Sequence, residues 1–352
     1  MFTSGSTGVP KAAVISHGAL LNFVNWSKDR FEIKSSDRFT NVNPLYFDNS
    51  VFDFYASIFN GATLCPTPSE LLQKPVELVK WANKLNCTIW FSVPSLLVYL
   101  LTLRALNSDN KVLSLRLIIF GGEGFPKKKL LELFTLFSPT TKLENVYGPT
   151  ETTCICSAHT ITEDDFADMA KLATLGKMAP NFDYFIDSSD TNENIGELIL
   201  IGPQVCMGYY NSPQQTDSVF IQNPKHSKYR DLAYRTGDLI ELDEEGNFHF
   251  LGRKDFQIKH MGHRIELEEI ETAASSLADI HETAVTYQNL DSGMGRIILH
   301  YSSSETLDDS LINQKLKSML PTYMMPQKIV RHEFLPKNAN GKIDRKTLQK
   351  SK

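Results

Sequence analysis

Along most of the chain, short apolar and β-branched runs alternate with longer stretches in which apolar residues return every three or four positions, the texture of layered α/β structure. Residues 115–120 (LRLIIF) read as a buried strand that runs directly into Gly121-Gly122-Glu123-Gly124 and Pro126. A tight turn therefore leaves the strand's carboxyl end, where open α/β sheets place their ligands. Farther on, residues 197–201 (ELILI) and 247–251 (NFHFL) read as strands, the second preceded by a turn at Asp243-Glu244-Glu245-Gly246. They predict a β-rich subdomain.

After Gly252-Arg253-Lys254-Asp255 the texture changes. Leu267, Ile270, Ala274 and Leu277 recur at helical spacing, and Glu268, Glu269 and Glu271 fall in the first turns, where carboxylates complement the helix N-terminus. Strands are expected over 283–287 and 296–301, followed by a helix near 311–320 that Pro321 ends. The expected division is a large domain over 1–255 and a small α+β domain over 256–352. No internal repeat or low-complexity segment is present.

Bulk properties narrow the function. The 352 residues are 41% hydrophobic, enough to fill the cores of two or more units. With 36 basic against 41 acidic side chains, no strong overall field recruits nucleic acid or an anionic membrane, so an anionic ligand must be held locally. Five scattered cysteines suit reduced thiols in a cytoplasmic protein. Cys154 and Cys156 read as buried small hydrophobes and not as metal ligands, because no second Cys or His pair stands at ligand spacing. The longest apolar stretch, residues 88–103, is short for a membrane span and is interrupted by Pro94. No secretory signal precedes the first motif. A soluble cytoplasmic protein with no membrane span and no nucleic-acid partner is the expectation.

The first chemical signal is Thr3-Ser4-Gly5-Ser6-Thr7-Gly8-Val9-Pro10-Lys11. Glycines let such a loop turn backbone N–H groups toward phosphate oxygens, and its hydroxyls and lysine add donors. It is not a Walker A loop, since the GxxxxGK[ST] spacing is absent.

This string resembles the phosphate-loop signature of the adenylate-forming superfamily, which comprises acyl-CoA synthetases, luciferases and the adenylation domains of nonribosomal peptide synthetases. The superfamily's remaining signatures follow in order. They are Tyr147-Gly148-Pro149-Thr150-Glu151, Gly196-Glu197-Leu198 through Gly208-Tyr209, Tyr234-Arg235-Thr236-Gly237-Asp238-Leu239, Gly252-Arg253-Lys254-Asp255 leading into Gly262-His263-Arg264-Ile265-Glu266, and Asn340-Gly341-Lys342-Ile343-Asp344-Arg345. Any one could be a surface turn; six in fixed order over nearly the whole chain do not arise by chance.

What the resemblance implies is an α/β, layered adenylate-forming fold, truncated at its N-terminus, with a β-rich subdomain and a small mobile α+β C-terminal domain. ATP and Mg²⁺ are the implied cofactors. Thr3, Ser4, Gly5, Ser6, Thr7, Gly8 and Lys11 would cradle phosphates. Tyr147 would stack on adenine, with Gly122, Glu123 and Gly124 forming the turn beside the base and Asn145 and Gly148 flanking it. Thr150 and Glu151 would meet phosphate and Mg²⁺, a hard cation that takes oxygen ligands. Asp238 would accept from the ribose hydroxyls and Arg253 would bind nearby. Lys342 would enter from the mobile domain and align the substrate carboxylate with the α-phosphate, where a cation neutralises two converging anions. Asp255 matches the hinge, and Lys259 and Gly262 lie on the loop that faces the site during thiol transfer.

The segment Phe47-Asp48-Asn49-Ser50-Val51-Phe52-Asp53 resembles the amino-acid-activating branch, in which the residue matching Asp48 pairs with the substrate ammonium. Its bland alternative is a helix-start aspartate. Asn49, Phe52, Ile119, Gly121 and Val146 would line the side-chain pocket. The longer runs PLYFDNSVFDFY and RIELEEIE are most similar to the D-alanine:carrier-protein ligases. Gly121 replaces those ligases' usual cysteine and Asn49 an apolar residue, so D-alanine or another small amino acid is the expected substrate. The acceptor would be a phosphopantetheinylated carrier protein supplied in trans. An acyl-CoA synthetase and an inactive nucleotide-binding fragment stand as alternatives, the latter because the strand feeding the first loop is reduced to Met1-Phe2.

Overall fold

The alternation of strands and helices folds into a mixed sheet in the computed structural model, which describes residues 1–3, 10–188, 193–255, 257–290, 295–337 and 343–350. Its seven described strands run in the order Thr63–Pro66, Arg38–Asn41, Ile89–Ser92, Leu117–Gly121, Lys142–Tyr147, Ser157–Thr160, Lys177–Met178. The first five are parallel, and the last two are antiparallel. Parallel neighbours need crossover connections; the helices Pro94–Thr102 and Lys127–Phe137 supply two of them, and Pro75–Lys84 leads from the edge strand Thr63–Pro66 past Arg38–Asn41 to Ile89–Ser92.

Covered on both faces, the central strands carry no polar alternation: all residues of Ile89–Ser92 and Leu117–Gly121 are buried. The strand expected over 115–120 starts two residues later and takes in Gly121. The late start reflects a turn, in which the Leu115 N–H donates to the Val112 carbonyl, and the Arg116 guanidinium then pairs with Asp37 at 2.7 and 2.8 Å. In Lys127–Phe137 the buried side chains Leu130, Leu133 and Phe137 keep the three-to-four spacing of a helix with one apolar face.

The β-rich part is an antiparallel sheet of Asp183–Asp187, Ile195–Ile201, Leu232–Leu242 and Phe220–Gln222, with Phe248–Arg253 also pairing Leu232–Leu242. Its register shifts between Leu239 and Ile240, an irregularity immediately after Asp238. Contacts divide the chain into one unit of Met1–Phe2 with Ala12–Lys254 and another of Thr3–Lys11 with Asp255–Lys352.

In the second unit, a hairpin of Gln257–His260 and His263–Glu266 turns through Met261 and Gly262, both at positive φ. The helix Leu267–Ser275 follows, then a sheet of Glu282–Asn289, Gly295–Ser302 and Lys328–His332 and the helix Asp309–Lys317. Ile265, Ile270, Val285, Leu299, Ile312 and Leu316 form its core. Both expected strands are longer at each end, since the ladder continues in register from Glu282 to Asn289 and from Gly295 to Ser302. All five cysteines are free and buried, and none of the described helices is long and apolar enough to cross a membrane.

Two polar contacts make the fold's stability testable. Glu144, almost fully buried, accepts a bidentate pair from Arg30 at 2.9 and 2.6 Å and a third bond from Thr160 Oγ1 at 2.7 Å. Arg30→Ala should cost about 3 kcal/mol in urea unfolding, because it strands a buried charge, whereas Arg30→Met with Glu144→Leu should be nearly neutral. In the second unit, His300 Nδ1 lies 2.9 Å from His332 Nε2 and its Nε2 2.9 Å from Thr286 Oγ1. Burial first, then the charges of His332 and Lys328, push its pKa down from 6.5 to about 4. The ring is thus held neutral in the folded state, so its stability contribution is complete above the ordinary histidine value and is lost as pH falls toward the folded one. Urea midpoints at pH 7 and pH 5 should differ, and His300→Gln should flatten that slope, which is on the order of 1–2 kcal/mol.

Candidate functional site

At the carboxyl end of the sheet, two strands lie so close that only glycine fits between them. A Cβ on Gly121 would come 2.3 Å from the carbonyl oxygen of its partner Val146. Gly122, at φ 93°, then turns the chain out of the sheet. Glu123 next accepts from the Ser95 backbone N–H at 2.7 Å, an orphan donor in the first turn of the helix Pro94–Thr102. Expected beside the base, Glu123 also fastens that helix, a role its motif does not disclose.

The neighbouring strand Lys142–Tyr147 ends in a sharper feature. Gly148 and Pro149 lead into a 3₁₀ turn, Thr150–Thr152, after which Thr153 and Cys154 both adopt positive φ, 60° and 77°. Non-glycine residues rarely do so, and adjacent ones mark a turn imposed by its surroundings.

Three side chains of this turn point to three other elements. The Tyr147 hydroxyl donates to Asp238 Oδ2 at 2.5 Å, Thr150 Oγ1 to Asp48 Oδ2 at 2.5 Å, and Glu151 Oε1 accepts from the Tyr209 hydroxyl at 2.6 Å. Arg253 Nη1 adds a 2.5 Å bond to Asp238 Oδ1 and one to the Thr236 carbonyl at 3.1 Å. Thr150, Tyr147, Asp238, Arg253, Asp48 and Glu151 are therefore linked through one turn. Tyr147 is buried, with its ring in the cluster of Cys156, Ala179 and Phe248, and does not stand as an exposed platform. Burial, then the nearby Asp238 charge, holds its phenol well above its ordinary pKa, so it stays a donor.

Asp48 is the residue where the two sequence readings differ. It precedes the helix Asn49–Val51, yet its side chain makes no capping bond. Its carboxylate is turned toward Thr150 instead. Past Asn49, which is half-buried, Phe52 packs fully buried against Phe23, Phe31, Phe39 and Phe91. Phe52, Ile119, Val146 and Cys154 share one apolar cluster, which brings three of the five expected pocket residues together.

Asn145 is buried, and its Nδ2 donates to the Thr174 carbonyl at 2.8 Å. Thr3 and Lys11 lie on paired two-residue strands. Ser4, Gly5, Ser6, Thr7, Gly8 and Lys342 fall outside the described residues. Asp255 begins the second unit.

The sequence marks Cys154 only as a buried small hydrophobe, which it is, and assigns Tyr209 no role of its own. The Cys154 thiol is buried beside both Asp48 and Asp53; burial, then those two charges, raises its pKa well above the usual thiol value. Tyr209 closes the Gly208-Tyr209 string, and that string was the available signal. Among the described residues no group of three or more His, Cys, Asp or Glu side chains could hold a metal. A single carboxylate such as Glu151 fits only a cation that brings phosphate and water oxygens with it, which is how Mg²⁺ commonly binds.

Comparison with known proteins identifies the family. Residues 1–210 match the family model described as AMP-binding enzyme. The L-proline--[L-prolyl-carrier protein] ligase of Pseudomonas fluorescens is 34% identical over 357 residues, covering 99% of this chain and 67% of the relative. A D-alanine--D-alanyl carrier protein ligase of Listeria monocytogenes is 34% identical over 359 residues, covering 99% and 69%. Among solved structures, the Vibrio cholerae adenylation domain AlmE with glycyl-adenosine-5'-phosphate superposes with a TM-score of 0.84 at 27% identity, over 99% of this chain and 65% of that one. Holo-PA1221, an NRPS protein containing adenylation and PCP domains, gives 0.81 at 26%, over 99% and 59%. This chain thus spans 67–69% of those curated relatives and less than two thirds of those two structures. On the family match and the relatives' identity together, the chain belongs to the AMP-binding enzyme family.

Proposed function

We propose that this chain activates a small amino acid with ATP, forming the aminoacyl-AMP and releasing pyrophosphate, and then passes the aminoacyl group to the phosphopantetheine thiol of a separate carrier protein. The observation that carries the reading is Asp48, a carboxylate not spent on capping its helix but held by Thr150 beside the apolar cluster of Phe52, Ile119 and Val146. A substrate ammonium needs such a partner, and an acyl-CoA synthetase acting on a non-amino acid does not. The named relatives, ligases of proline and D-alanine, support the same class.

In this reading the amino acid's carboxylate attacks the α-phosphorus in line, and the bond to pyrophosphate breaks. The Ser4–Gly8 segment and Lys11 hold the phosphates, and Lys342 neutralises the meeting of two anions. Asp238, fixed by Tyr147 and Arg253, receives the ribose hydroxyls. Mg²⁺, where bound, offsets phosphate charge with Glu151 as its protein carboxylate. Asp255 serves as the hinge about which the C-terminal unit turns before thiol attack, with Lys259 and Gly262 then facing the site. A cytoplasmic setting, where ATP and carrier protein are both available, completes the proposal.

ATP–pyrophosphate exchange tests it, with glycine, D-alanine, L-alanine and L-proline set against fatty and aromatic acids. Exchange should depend on an amino acid; exchange with the non-amino acids alone would overturn the reading. Asp48→Ala should raise the amino-acid KM by roughly 30-fold or more while leaving the ATP KM within a few-fold, as removal of one member of a buried charge pair predicts. Lys342→Ala should lower kcat for adenylation by a factor on the order of 100 with little change in either KM, the signature of a contact made in the transition state.

A further inference from the structure

Under the helix that begins after Asp48 lies a second, fully buried carboxyl, Asp53. Its Oδ2 accepts from Asn43 Nδ2 at 2.9 Å and from Asn41 Nδ2 at 3.3 Å, and the Asn43 amide also donates to the Phe91 carbonyl at 2.9 Å. These partners come from the end of the strand Arg38–Asn41, the loop after it, and the strand Ile89–Ser92. Among the described residues, its buried Oδ1 has no partner at hydrogen-bond geometry. From Phe52 to Ala56 the helix carrying Asp53 is wound as a π-helix, a conformation that occurs mostly as short insertions in α-helices and frequently at functional sites.

The titratable groups nearby are Asp48, at the start of the same helix, and Cys154, from the loop after Glu151; the Cys154 thiol feels both carboxyls and bonds the Phe52 backbone. The asparagines and Phe91 on the other elements are uncharged. A carboxylate ionised in this setting would have only amide donors to offset its desolvation, so burial pushes the Asp53 pKa up to about 8, against the smaller opposing effect of Asn43 and Asn41.

We propose that Asp53 is a positioning residue for Asp48: its buried carboxyl, held by Asn41 and Asn43, pins the π-helical turn to the ends of two parallel strands and so fixes where Asp48 meets Thr150 and the substrate ammonium. The inference rests on the amino-acid reading of Asp48. It assigns Asp53 no contact with substrate. In its neutral form the acid resembles an amide in shape and hydrogen-bonding capacity, so Asp53→Asn should preserve the clamp and Asp53→Leu should break it.

Exchange kinetics across pH 6–9.5 give the test. At pH 7, Asp53→Asn should stay within roughly 2-fold of the parent in both KM values, and Asp53→Leu should raise the amino-acid KM by about 10-fold while the ATP KM moves less than 3-fold. As pH rises through 8 the parent's amino-acid KM should climb as Asp53 ionises, and Asp53→Asn should lose that limb. An unchanged amino-acid KM in folded Asp53→Leu, a parallel rise of both KM values, or the same alkaline limb in Asp53→Asn would each overturn the assignment. Should Asp53→Leu not fold, the pH profile of Asp53→Asn decides. If the parent exchanges with no amino acid, the ligase reading fails separately, and amide hydrogen exchange over residues 47–52 decides the positioning role. Faster exchange than the parent in Asp53→Leu and restored protection in Asp53→Asn support it, and equal protection in all three proteins sinks it.

Discussion

Everything at the carboxyl end of the sheet depends on how closely the chain folds back after Tyr147. A Cβ on Gly148 would lie 2.4 Å from the Cys154 carbonyl oxygen and 2.7 Å from the Ile155 Cα, so no side chain can occupy that position without opening the turn. The fold-back also forces Thr153 and Cys154 into the left-handed region, each at a cost of order 1 kcal/mol. Thr153 Oγ1 to the Gln204 carbonyl and Cys206 N–H to the Glu151 carbonyl, both 2.8 Å, hold the strained turn in place. With the turn closed, Tyr147, Thr150 and Glu151 point in three directions from a single point on the sheet.

Hydroxyl groups then orient the site's carboxylates: Thr150 for Asp48, Tyr209 for Glu151 and Tyr147 for Asp238. A hydroxyl donor fixes the direction of a carboxylate without cancelling its charge. Elsewhere in the same unit the pattern differs, with Arg30 forked onto Glu144 and Arg116 onto Asp37. Those guanidiniums neutralise buried acids that brace the fold. Asp238 carries both kinds of partner, the Tyr147 hydroxyl and Arg253, as suits a residue whose position matters as much as its charge. Asp238 and its register partner Arg253 both lie close to a register shift between their strands.

The sequence by itself determined the sheet's central strand and the glycine turn behind it, the helix from Leu267 onward, the apolar character of Phe52, Ile119 and Val146, and membership of the adenylate-forming enzymes. Each of these rests on local properties: periodicity over a few residues, glycine where a backbone must pass closely, or a motif contiguous in the chain. Only the tertiary structure decided which side chains meet. Thr150 finds Asp48 across 102 residues and Tyr147 finds Asp238 across 91. That Asp48 leaves its helix uncapped, that Asn145 bonds the Thr174 carbonyl, that Glu123 fastens a neighbouring helix, and that Asp53 is buried among amides were invisible for the same reason. Hydrogen-bond partners are chosen by strand register and by the way one turn folds back on itself, and no local window of sequence contains both.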